Sequence, residues 1–107
     1  MQIEQRIERT GPAEYLTVVT LRDGDKERVF EKTYYKTSPI FSAYKSLIHV
    51  LRSLRNCDVT LESNNYEMLS EISNRSIENG MALLNIFEDV IERNNINVHV
   101  KSSSESL

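Results

Sequence analysis

The hydrophobic pattern of this 107-residue chain switches period at Ser38–Pro39, and that switch decides what the chain can fold into. Before it, the pattern is that of strands. Residues 2–9 (QIEQRIER) place Ile3 and Ile7 on one strand face with charges between. Gly11–Pro12 then breaks the chain. Residues 14–22 (EYLTVVTLR) are rich in β-branched and aromatic types, the DGDK stretch at 23–26 suits a hairpin turn, and residues 27–37 (ERVFEKTYYKT) pair back. A three-stranded antiparallel meander is predicted.

After Ser38–Pro39 the pattern is helical. A hydroxyl cap is followed by proline at the first helical position, where its missing N–H is harmless. Ile40, Tyr44, Leu47, Ile48, Leu51 and Leu54 then fall three or four residues apart, which predicts a helix to about Arg55. Residues 57–63 (CDVTLES) read as a fourth strand. Ser63, Asn64 and Asn65 read as a cap for a short helix through Tyr66, Leu69 and Ile72. A break or bend at Asn74–Arg75–Ser76 precedes a helix over about 77–93, carried by Ile77, Met81, Leu84, Phe87 and Ile91. Asn94–Asn95 ends it, residues 96–101 (INVHVK) form a fifth strand, and 102–107 (SSSESL) read as a frayed tail. The order β-β-β-α-β-α-(α)-β predicts an α/β fold: one domain over 1–101, with a five-stranded mixed sheet and helices packed on it.

Charge narrows the function classes. The net charge of −3 offers no whole-chain argument for nucleic acid, but its distribution is lopsided. Residues 33–57 contain no Asp or Glu while carrying Lys36, Lys45, Arg52 and Arg55. Lys45, His49 and Arg52 are spaced to share one helix face, so with Lys36 and Arg55 they form a candidate phosphate-binding strip. The competing reading is a solvated helix face, with Arg52 and Arg55 favoured by the helix C-terminal dipole. Tyr15, Tyr34, Tyr35 and Tyr44 lie near this strip and suit base stacking, or simply suit strands. Glu67, Glu71, Glu78, Glu88, Asp89 and Glu92 make the later helices acidic, a solvated surface or one complementary to a basic partner. The lone Cys57 cannot form an internal disulfide, which fits a reducing, cytoplasmic setting; with His49 and His99 it does not complete a structural zinc site in one chain. No apolar run is long enough to span a membrane, and MQIEQRIERT lacks the apolar region of a secretory signal.

Three stretches resemble the ribonuclease H family. KTYYKTSPIFSAYKSLIHVLRSL is similar to its third strand, turn and first helix; CDVTLESNNYEML to its fourth strand; VHVKSSSE to its fifth. The resemblance covers about residues 2–101 and implies a nuclease that holds two divalent cations, Mg²⁺ or Mn²⁺, through carboxylates from four places: the first strand, the first helix, the end of the fourth strand, and a segment after the fifth. Carried over one position at a time, the set is depleted. The first strand offers Glu4 or Glu8. The helix position falls near Ala43, inside the acid-free stretch. The fourth strand ends in Asn64, with Glu62 two residues earlier, and only Glu105 follows the fifth strand.

The resemblance therefore implies the fold with most of its carboxylates missing, and a fold does not imply its common function. The first expectation is a non-catalytic binding module, without cofactor. Its partner would be a protein or a second copy, slightly favoured by the negative charge, or a nucleic acid bound through the basic first helix. The alternative is a divergent metal-dependent nuclease using Glu8 and Glu62, with Asn64, Glu105 or a second chain. A weaker one is a small-ligand sequestering protein with a pocket at the Asn64 turn.

Overall fold

The computed structural model describes residues 1–74 and 81–101. Its elements are β1 (Gln2–Gly11), β2 (Glu14–Asp23), β3 (Lys26–Tyr35), α1 (Pro39–Leu51), β4 (Cys57–Ser63), α2 (Tyr66–Asn74), α3 (Met81–Arg93) and β5 (Ile96–Val100). The predicted start of the last helix at Ile77, and the tail at 102–107, lie outside the described residues.

The first three strands form the predicted meander, and the sheet order is β3-β2-β1-β4-β5. β1 is central. It pairs antiparallel with β2 and parallel with β4, which pairs parallel with β5. Parallel neighbours need a crossover, and α1 supplies the one from the meander to β4.

Side-chain parity divides the sheet into two faces. Ile3, Val19, Val59, Leu61 and Ile96 are buried on one face beneath the helices. The alternate residues, among them Glu4, Arg6, Glu8, Val29, Glu31 and Glu62, stay exposed or half-exposed on the other. Helix α1 lies between the sheet and the other helices, so most of its circumference is buried, including Ile40, Tyr44, Leu47, Ile48 and Leu51. The Tyr44 hydroxyl donates to Glu71 Oε1 of α2 at 2.8 Å and ties the two helices together. Burial, then the hydrogen bond to Glu71, pushes the Tyr44 phenol far above the usual tyrosine range.

Element ends differ from expectation where backbone conformation overrides periodicity. β3 stops at Tyr35 because Lys36 adopts a left-handed φ of 54°, which strand pairing cannot use. α1 stops at Leu51 with Arg52 as its C-cap rather than running to Arg55. In α2, Tyr66 is 62% exposed while Met68 is fully buried. Tyr66 is the first residue of the helix, so it stands clear of the core. Among the described residues, no helix is long and apolar enough to cross a membrane.

Candidate functional site

β1, α1 and the C-terminal end of β4 converge at the head of the sheet, and each contributes one neutral polar side chain. Gln5 lies on β1 between Ile3 and Ile7, on the helix-covered face, and is 1% exposed. Its Nε2 donates to the Ala43 carbonyl (2.7 Å) and to Ser46 Oγ (2.8 Å) on α1. Ser63, the β4 residue opposite Gln5 in the parallel ladder, donates from Oγ to Gln5 Oε1 at 2.6 Å. Ser46 Oγ donates to the Ala43 carbonyl (3.2 Å), and the Asn65 N–H donates to Ser63 Oγ (3.1 Å). The hub is closed: among the described residues, every buried side-chain nitrogen and oxygen has a partner. Burial without partners would cost several kcal/mol, so this mutual satisfaction is what lets three polar groups sit in the core.

Asn64 does different work from the capping role expected of it. The Ile7 N–H donates to Asn64 Oδ1 (2.8 Å), and Asn64 Nδ2 donates to the Ile7 carbonyl (3.0 Å). The side-chain amide thus imitates a peptide group and extends the β1–β4 ladder by one rung beyond the end of β4. Asn65 is the cap of α2, accepting from the Met68 N–H at 2.9 Å.

The other acidic candidates are not gathered at this point. Glu62 is on the open sheet face, opposite Glu4, and lies 3.8 Å from Lys101 Nζ. Glu4 lies 3.7 Å from Arg22, whose guanidinium pKa is held above its usual value chiefly by a hydrogen bond to Glu27. Glu8 is four residues further along β1 from Glu4, about 13 Å at the usual strand rise. Glu105 lies outside the described residues. No three carboxylate, imidazole or thiol side chains converge among the described residues. The cavity beside Glu4 and Glu62 holds only about 20 Å³, room for little more than a water molecule. The residues that meet at the head of the sheet do not fit a pair of hard divalent cations, which need clustered anionic oxygen.

The basic candidates lie on the outer side of α1. Lys45 and His49 are exposed along the helix and Arg52 at its end, with Lys36 exposed in the preceding turn. Arg55, also exposed, folds back on its own turn instead, donating from Nη1 to the carbonyls of Arg52 and Leu54, both at 2.9 Å. The His49 ring stacks on Phe30 of β3 with centroids 4.5 Å apart and planes 23° from parallel. Sequence reasoning missed the β3 part of this surface: Arg28, Phe30 and Lys32. The signal was available in KERVFEKTYY, whose alternation puts Arg28 and Lys32 on one face and Glu27 and Glu31 on the other. Of the tyrosines considered for stacking, Tyr44 is fully buried and Tyr35 is on the open face. Tyr34 is half-buried beside Lys32, and that burial raises its phenol pKa.

No protein-family model matches the chain, and no curated protein sequence matches it. Among solved structures it is similar to RNase H1 from the halophilic archaeon Halobacterium salinarum, with a TM-score of 0.64 and 13% identity over 98% of this chain and 89% of that one. Topology, element order and this structural match together give the chain a ribonuclease H-like fold.

Proposed function

We propose that this chain is a non-catalytic ribonuclease H-like module that works by binding. The observation that carries the reading is the Gln5–Ser46–Ser63 hub. It occupies the meeting point of β1, α1 and the end of β4, three of the four places from which the resemblance draws metal-holding carboxylates. Amide and hydroxyl groups there satisfy one another and leave no anionic oxygen to compete with the hydration of Mg²⁺ or Mn²⁺. Glu4 and Glu62, the neighbouring carboxylates on the open face, each have a cation beside them.

The test is a cleavage assay on labelled RNA–DNA hybrid, single-stranded RNA and duplex DNA, with Mg²⁺ or Mn²⁺ and with EDTA. No metal-dependent cutting is expected. Cutting that needs metal and is lost in Glu62→Gln or Glu8→Gln would overturn the reading and make the chain a divergent nuclease.

A further inference from the structure

Strand β3 sorts its charges by face. Thr17 and Val19 of β2, both fully buried, pair with Lys32 and Phe30. Arg28, Phe30, Lys32 and Tyr34 therefore share the side that α1 covers, while Glu27 and Glu31 fall on the opposite side. Helix α1 borders this row with a second one. Nine of its thirteen residues are buried, and Phe41, Lys45 and His49 form the exposed stripe that Arg52 continues at the cap.

The two rows meet at the Phe30–His49 stack. Each row alternates cations with rings: Arg28, Phe30, Lys32 and Tyr34 along β3, and Phe41, Lys45, His49 and Arg52 along α1. The Lys32 ammonium already lies 5.3 Å from the centre of the Tyr34 ring. Neither row carries an acidic residue of its own: residues 33–57 have none, and β3 turns Glu27 and Glu31 to the opposite face. Among the described residues, none of these four cations is held in an ion pair.

We infer that this ledge binds single-stranded nucleic acid, its cations tracking the phosphates and its rings offering faces for unpaired bases. A row of cations alone would suit any polyanion. Rings interleaved with cations suit a strand whose bases are free to stack, and a duplex leaves the rings unused. The inference rests on the binding-module reading and names its partner.

The experiment is fluorescence anisotropy in EDTA with labelled oligo-dT, oligo-rU and blunt duplex DNA at low and moderate salt. Single strands should bind more tightly than duplex, with a log–log salt slope of about −3 for four neutralised phosphates. Lys32→Glu and Lys45→Glu should each weaken binding about tenfold and flatten the slope. Phe41→Ala, at a 40% exposed ring, should weaken binding about tenfold and leave the slope unchanged. Equal affinity for dT and rU supports recognition of backbone and ring chemistry alone; a preference for either supports the ledge and identifies the natural strand. Failure to bind by protein that circular dichroism shows to be folded, equal affinity for duplex, or binding that these substitutions leave intact would each overturn the inference. Metal-dependent cutting in the separate cleavage assay would overturn the non-catalytic reading while leaving this one standing.

Discussion

Helix α1 meets the sheet in two places with opposite results. At the head of the sheet, Ser46 and the Ala43 carbonyl face Gln5 and Ser63 in a buried site where every donor has an acceptor. Along the β3 edge, the same helix stacks His49 on Phe30, with Lys45 and Arg52 exposed on the helix and Arg28 and Lys32 exposed on the strand. Burial makes the difference. In the core an unmatched polar atom loses its hydration without return, so the hub must be closed and neutral. At the surface, water and salt screen like charges, so cations can remain unmatched and available. The hub therefore belongs to stability, and the ledge is where the proposed binding would act.

The sharpest way to break this division is Gln5→Glu. It puts a carboxylate where two donors now serve Ala43 and Ser46, and should lower stability at neutral pH by about 3 kcal/mol or more. Desolvation raises the folded-state pKa of the new carboxyl above its unfolded value, so the folded protein binds more protons and stability falls as pH rises through the ordinary carboxylate range. Denaturant titrations at mildly acidic and neutral pH check this; a variant equally stable at both would show that the hub tolerates charge. Asn64→Asp comes next. It keeps an acceptor for the Ile7 N–H but turns an anionic oxygen on the Ile7 carbonyl, and should cost about 1–2 kcal/mol in the same assay. A neutral or stabilising result would mean that the amide rung carries nothing. The smallest effect on stability is expected at the ledge. Lys45→Glu should move the unfolding free energy by no more than about 0.5 kcal/mol while lowering single-strand affinity. Large destabilisation there would show that the ledge is a packing feature rather than a binding one.

Much of the fold was legible because each element announces itself locally. Ser38–Pro39 starts α1 as a hydroxyl cap and an N-terminal proline should, with the Phe41 N–H donating to Ser38 Oγ at 3.3 Å. The apolar alternation of residues 57–63 marks β4 with the boundaries it has in the structure, Cys57–Ser63. The hub was not legible. Parity alone puts Gln5 on the face of Ile3 and Ile7, yet its partners lie 41 and 58 residues away, and no local pattern links a glutamine to two distant serines. The resemblance points instead to Glu8, Glu62 and Asn64, because carboxylates and their nearest substitutes are what hold divalent cations. Two of those are turned to the open face by the same strand parity that buries Gln5 and Ser63.

The sequence by itself determined the alternation of strands and helices, the acid-free stretch before β4, and the face of each strand on which a residue lies. These depend on periods of two and 3.6 residues, which a chain carries along its length. The tertiary structure decided which polar residues meet. It closed Gln5, Ser46 and Ser63 into a neutral hub, set β3 against α1 to make one ledge from two rows, and turned Arg55 back onto the carbonyls of Arg52 and Leu54. Those outcomes depend on crossovers and register between distant segments, where a polar group's surroundings, not its identity, determine whether it is matched in the core or left free at the surface.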